Sequence, residues 1–320
     1  MLHIRDFQYI HQDYEALVQV INRVWPEVPY TAADLQRLDR ERPSYCTHRR
    51  FLAQIDGQIV AQGSFAHNRK FFHPQRFWLQ LDVLPDQRRQ GIGGRLYAHM
   101  LALLCAEYDA NELHATTTES RGDSLRFLQE RGFQVIKRDP QSRLDVAQYN
   151  FDPYRELARK IAAMGIELRT LSDLLRNDAQ ALRKVYDLHQ LLAHDVPDPA
   201  QRTRVEFETW REGYTRKNPY YIPQANFMAL DGSDLLGMTS LWGDPSTGSL
   251  NTGLTGVKRP FRRKGIATAL KLRTIAYAQA HGISVIKTSN NSENSMYRLN
   301  LKLGFETYDA EMKLKNIICV

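Results

Sequence analysis

Cysteine is scarce in this chain: Cys46, Cys105 and Cys319 are the only three among 320 residues, far apart and odd in number. Neither a disulfide framework nor a zinc site follows from them, and they fit a reducing, cytoplasmic compartment. No apolar run approaches the ~20 residues that a spanning helix requires. The opening Met1-Leu2-His3-Ile4-Arg5-Asp6 has charge where a signal peptide would carry its apolar stretch. The ten histidines show no His-x-x-x-His spacing, so no metal is implied. Three common motifs are also missing. Gly-Lys-Ser/Thr is absent, which excludes a P-loop, and so is the Gly-x-Ser-x-Gly elbow of many hydrolases. Gly91-Ile92-Gly93-Gly94 lacks the third glycine of a dinucleotide fingerprint.

What remains is an ordinary globular composition, 42% hydrophobic and 25% charged. The length suits two domains, 1–150 and 151–320, each large enough for its own core. The central stretch is Val83-Leu84-Pro85-Asp86-Gln87-Arg88-Arg89-Gln90-Gly91-Ile92-Gly93-Gly94, between an apolar strand and a helix. Such a turn aims unpaired backbone N–H groups and the positive end of a helix dipole at one point. Glycines there let a bulky anion approach without meeting a Cβ. The arrangement reads as a pyrophosphate cradle.

It occurs twice. Val257-Lys258-Arg259-Pro260-Phe261-Arg262-Arg263-Lys264-Gly265-Ile266-Ala267-Thr268 repeats the pattern at a constant offset. Arg131-Gly132-Phe133 likewise matches Leu303-Gly304-Phe305. Two cradles with the same flanks signal internal duplication. The net charge of +7 is concentrated at the cradles, so much of it is read as serving a polyanionic ligand rather than nucleic acid.

Each half reads as strand, helices, three strands, cradle helix, strand, helix and strand, giving a mixed α/β sheet. Thr31 is expected to cap a helix, Asp56-Gly57 to turn a hairpin, and Asp195 to Pro199 to break the chain. Leu250 to Val257 reads as one strand and Ser292 to Leu303 as the last long helix.

The pattern Arg-x-x-Gly-x-Gly/Ala, here Arg88-x-x-Gly91-x-Gly93 and Arg262-x-x-Gly265-x-Ala267, resembles the acetyl-CoA signature of the GCN5-related N-acetyltransferases (GNAT). The likeness covers nearly the whole chain and is closest to bacterial members with two fused domains. It implies two tandem acyl-CoA N-acyltransferase domains and acetyl transfer to a primary amine, with a small-molecule acceptor, no membrane, and a monomer or homodimer. Alternatives are a protein N-terminus or lysine as acceptor, or an acyl-CoA-binding protein without turnover.

The resemblance also assigns cofactor contacts. In the first half these are Leu81, Val83, Arg88, Arg89, Gln90, Gly91, Ile92, Gly93 and Gly94. In the second they are Thr255, Val257, Arg262, Arg263, Lys264, Gly265, Ile266, Ala267, Thr268 and Asn294. Many relatives carry a proton-donating tyrosine where this chain has Leu128 and Asn300. Tyr297, one turn before Asn300, is the substitute candidate, and Glu293 the candidate base. On these residues the second half is expected to do the chemistry while the first binds cofactor or shapes the acceptor site. Asp82 and Glu119 are the first-half carboxylates nearest the implied cleft, each also readable as a solvated or capping acid.

Overall fold

The computed structural model describes residues 1–27, 29–69, 71–196, 204–214 and 218–319. The first half begins with β1 (Leu2–Asp6), α1 (His11–Val24) and α2 (Ala32–Arg40), followed by β2 (His48–Ile55), β3 (Gln58–Ala66) and β4 (Arg76–Val83). It continues with α3 (Ile92–Glu107), β5 (Glu112–Thr118), α4 (Gly122–Gln129) and β6 (Gln134–Asp145). Helix α5 (Arg155–Ala163) leads into β7 (Ile166–Thr170), α6 (Leu171–Asn177), α7 (Ala181–Ala193) and α8 (Phe207–Glu212). Then come β8 (Tyr221–Asp231), β9 (Asp234–Trp242), β10 (Ser249–Thr252) and β11 (Gly256–Val257). The chain closes with α9 (Ile266–Ala280), β12 (Val285–Ser289), α10 (Ser295–Lys302) and β13 (Glu306–Ile317).

Local chemistry explains several boundaries. Thr31 and Asp34 form a reciprocal capping box at α2, satisfying N–H groups that would otherwise be orphaned. Asp56 and Gly57 both take positive φ, 50° and 80°, which matches the turn to the twist of β2 and β3. The expected strand from Leu250 to Val257 is broken at Gly253, where a Cβ would lie 2.2 Å from Ser240 Oγ. The last helix starts at Ser295, later than expected, because the Asn294 side chain accepts from Met296 N and caps it. Of the expected chain break, Pro197 to Pro199 lie outside the described residues.

Among the described residues, thirteen strands join one sheet in the order β1-β2-β3-β4-β5-β13-β6-β12-β10-β9-β8-β7, with β11 also on β9. The centre of that order is an exchange. β13, from the second half, lies antiparallel against β5 of the first, from Glu311↔Thr118 to Ile317↔Glu112. β6, from the first half, lies antiparallel against β12 of the second. Side chains follow the strands: Ala310, Met312 and Leu314 enter the first-half core beside Leu96 and Met100. Leu144 and Val146 enter the second-half core beside Leu250 and Ile275. Each such buried Leu, Val or Met contributes about 2 kcal/mol, so the core of each half is completed by the other.

A covalent tie reinforces the exchange. Cys105 on α3 is bonded to Cys319, just past β13. This corrects the expectation that no disulfide follows from the three cysteines: the fold brings together two residues that sequence spacing keeps far apart. Cys46 is free and buried. Among the described residues no helix is long and apolar enough to cross a membrane.

Candidate active site

The two cradles have the same backbone. Arg89 and Gly91 take φ 64° and 79°, and Arg263 and Gly265 take 64° and 90°. Arg88 Nε donates to Val83 O at 3.2 Å, and Arg262 Nε donates to Val257 O at 2.9 Å. In both, a left-handed glycine caps the following helix and leaves the first-turn N–H groups facing outward.

The first cradle opens into a cavity of about 940 Å³. β4 pairs with β5 from Arg76 to Leu79 and then parts from it. Leu84 N bonds to Val60 O on β3. Alternation therefore turns the backbone groups of Leu81 and Val83 the other way, into the gap. Leu81, Val83, Arg88, Arg89, Gly91 and Ile92 line the cavity, as do Gly93 and Gly94; Gln90 is exposed beside it. A Cβ at Gly91 would meet nothing within 4 Å, whereas one at Gly93 would come within 3.3 Å of Phe127. These are the properties of a seat for a phosphate-bearing chain: open backbone donors, an unpaired strand edge and room between strands.

The cavity continues onto the face of the sheet covered by α1 and α2. Gly63 packs toward Leu96 and Met100 of α3, so its neighbours Gln62 and Ser64 face the opposite way. Asp82 lines this chamber and is buried. It accepts from Trp25 Nε1 at 2.8 Å, Gln62 Nε2 at 2.5 Å and Gln80 Nε2 at 2.9 Å. All three donors are neutral, and a carboxylate offers about four acceptor positions, so one remains for a proton or an ammonium. The reading of Asp82 as a solvated or capping acid is thereby corrected. Trp25 is held from above by Arg121, whose guanidinium stacks 3.6 Å over its ring and pairs with Glu27 at 2.9 Å.

Farther along the same wall, Asp39 accepts from Tyr14 Oη at 2.8 Å and pairs with Arg50. His48 Nδ1 lies 3.4 Å from it. Burial alone would raise the Asp39 carboxyl, but His48, Arg50 and Tyr14 together hold it well below the usual carboxylate range. Burial pushes His48 down to about 4, so its imidazole is neutral at pH 7.

In the second half the described residues fill the corresponding space. Gly256 pairs with Met238 where Asp82 pairs with Gln62. A Cβ on Gly256 would lie 3.1 Å from Leu192, and Leu192, Met228, Met238 and Leu254 belong to one hydrophobic cluster. The cradle itself is covered: a Cβ on Gly265 would be 2.7 Å from Leu157 of α5. Arg262 and Arg259 are both held by Asp195. Thr255 is bonded to Thr239 at 2.8 Å, Val257 and Ile266 are buried in the α5–α9 cluster with Ala267 against it, and Lys264 lies over Phe261. Arg263 is exposed and Thr268 half-buried.

The remaining candidates lie apart from the chamber. Tyr297 Oη is 3.1 Å from Thr307 Oγ1 on an exposed surface. Glu293 is exposed in the turn before α10, and Glu119 is paired with Arg138 at 2.6 Å. None of the three lines the first-half cavity. Asn300 is buried and donates to Asn290 at 2.6 Å. Sequence reasoning passed over Trp25, Gln62 and Gln80. The alternation of polar Gln80 and Asp82 with Leu79, Leu81 and Val83 was the available sign of a second, polar-lined face.

Comparison with known proteins identifies the family and the fold. The model of the acetyltransferase (GNAT) family matches twice, at residues 13–133 and 185–305. The chain belongs to that family, as two tandem domains. A tandem GNAT protein from the clavulanic acid biosynthesis pathway, solved without AcCoA, superposes with TM-score 0.75 at 20% identity, covering 99% of this chain and 98% of that one. A GCN5-related N-acetyltransferase from Sphaerobacter thermophilus gives TM-score 0.69 at 16% identity, covering 99% and 95%. At these identities the likeness is one of fold. No curated protein sequence matches the chain.

Proposed function

We propose that the protein is an N-acetyltransferase that moves an acetyl group from acetyl-CoA to a primary amine of a small-molecule acceptor, and that the first half does the chemistry. One observation carries this reading: a single cavity runs from the first cradle along the open edge of β4 to the buried Asp82. The second half, expected from sequence to be catalytic, has that volume packed with Leu192, Met238 and Leu254.

When bound, acetyl-CoA supplies a thioester whose acetyl carbon is open to attack by nitrogen, with the CoA thiol released. The N–H groups at Gly91 to Gly94 and the guanidinium of Arg88 would hold its pyrophosphate. The backbone of Leu81 and Val83 would align its pantetheine arm, with an N–H available to a developing oxyanion. Asp82 accepts the proton that the attacking ammonium must lose. Leu128 leaves no phenol to protonate the departing sulfur; with a thiol pKa of about 8.5, a thiolate can leave without one. The cytoplasmic expectation rests on cysteines without a disulfide, and the Cys105–Cys319 bond removes that support.

Calorimetric titration with acetyl-CoA tests the reading. One site per chain is expected, weakened at least tenfold by Arg88→Ala and unchanged by Arg262→Ala. Two sites would restore the second half as a candidate; no binding would remove the assignment. The missing phenol also suits an acyl-CoA binder without turnover, which CoA release that no amine accelerates would favour.

A further inference from the structure

The chamber beyond Asp82 carries charge that the proposed reaction leaves unused. Arg42, just past α2, lines the cavity with its Nε buried and without a hydrogen-bond partner. Arg69 lines the same end. Among the described residues neither makes an ion pair: Asp39 acts on Arg42 only at longer range, being paired with Arg50, and His48 is neutral at pH 7. Glu41, the other acid on that wall, is paired with Arg37 at 3.1 Å. Burial lowers the Arg42 guanidinium from its ordinary value, as expected for a cation that has lost water and gained too little in exchange. This end is separate from the cradle, whose arginines lie at the α3 side.

The spacing is set by the sheet. Arg50 faces Ser64, and Ser64 faces Gln80, two residues from Asp82 on the same strand. Arg50 and Asp82 therefore stand roughly 12 Å apart by Cα positions, at ordinary strand spacing, and Arg42 lines the cavity at the Arg50 end, its charge acting on that of Arg50.

We infer that the acceptor is a small amine that also bears an anionic group, carboxylate or phosphate, with the amine at Asp82 and the anion at Arg42. The inference rests on the first-half assignment above. A chamber with a buried carboxylate at one wall and a half-buried guanidinium with an unbonded Nε at the other favours a zwitterion held in one orientation, nitrogen toward the thioester. A neutral amine would leave Arg42 unpaired, and a diamine would bring a second cation against it.

The test uses the full chain with β-alanine, O-phosphoethanolamine, β-alaninamide, propylamine and a diamine as probes. Acetyl-CoA binding is measured first, and occupancy of the chamber is followed through Trp25 and Trp78 fluorescence as well as by turnover. The expected result is saturable quenching by the anionic amines and a kcat/KM at least thirtyfold above that for β-alaninamide or propylamine. The ratio between β-alanine and O-phosphoethanolamine distinguishes carboxylate from phosphate. Arg42→Gln should bring all probes within about threefold by raising KM for the anionic ones at constant kcat, and Arg42→Lys should retain most of the preference. Neutral amines bound and acetylated as well as anionic ones, no quenching by any anionic amine, or a preference that survives Arg42→Gln would overturn the acceptor class while acetyl-CoA binding stands. Absence of acetyl-CoA binding would overturn the underlying assignment with it.

Discussion

The two halves share a cradle sequence, a cradle backbone and a sheet, yet they differ on one face. In the first half that face is polar: Gln62, Gln80 and Asp82 look into a cavity beneath α1 and α2. In the second the matching face carries Met238, Leu254 and Gly256, closed by Leu192 of α7. The anion loops differ in the same sense. Gly91 has open space before it, whereas Gly265 faces Leu157, and Arg262 is paired with Asp195 while Arg88 makes no ion pair among the described residues. A motif preserved in backbone geometry thus need not be preserved in use. What decides is whether the helices laid over it leave a chamber or fill it with core, and a filled chamber stabilises the fold at the expense of a site.

The contrast can be broken most directly at Asp82. Asp82→Asn keeps the shape and the neutral donors' company but removes the proton acceptor. Turnover should fall by 10²–10⁴, about 3–5 kcal/mol, with acetyl-CoA affinity unchanged in calorimetry. A variant with normal kcat would return the chemistry to another residue.

The next effect concerns the tie between halves. The bond from Cys105 to Cys319 spans 214 residues of sequence. In the chain-entropy picture, loss of a bond closing so long a loop costs about 2–5 kcal/mol. Cys319→Ser, or reduction, should lower the urea midpoint by a matching amount, and an unchanged midpoint would show that β13 needs no such tie.

The smallest effect lies under the second cradle. Lys271 on α9 occupies the position that Tyr97 holds on α3; both are buried, Lys271 against Phe305 and Tyr97 against Phe133. Burial pushes the Lys271 ammonium down to about 7. Its native value lies below the unfolded one of about 10.4, so the unfolded chain binds more protons between the two. The penalty is full below pH 7 and fades as pH rises toward 10.5. Lys271→Met should therefore stabilise the protein by roughly 2–3 kcal/mol at pH 6, with less gain at pH 9. A gain independent of pH would mean that the ammonium finds a partner on folding.

Much of this was legible from residue order. The capping box at Thr31, the Asp56-Gly57 turn and the duplicated cradles all rest on short-range chemistry, and they appear where the sequence places them. Which half keeps a chamber depended on Leu157, Leu192 and Trp25, which reach the cradles from distant segments; no local pattern announces such a contact. Tyr297 attracted attention for its spacing along α10, but its hydroxyl turns to Thr307. The strand exchange was equally hidden, because β6 and β13 have similar alternation and either could pair beside β5.

That exchange also orders events in time. On the ribosome, residues 306–317 emerge only after all of the second half has been made, and until then β5 has a bare edge. An exposed edge invites pairing with other chains. The half that holds the open chamber therefore precedes its final strand in synthesis, and until β13 arrives the edge of β5 is open to other strands, β6 among them.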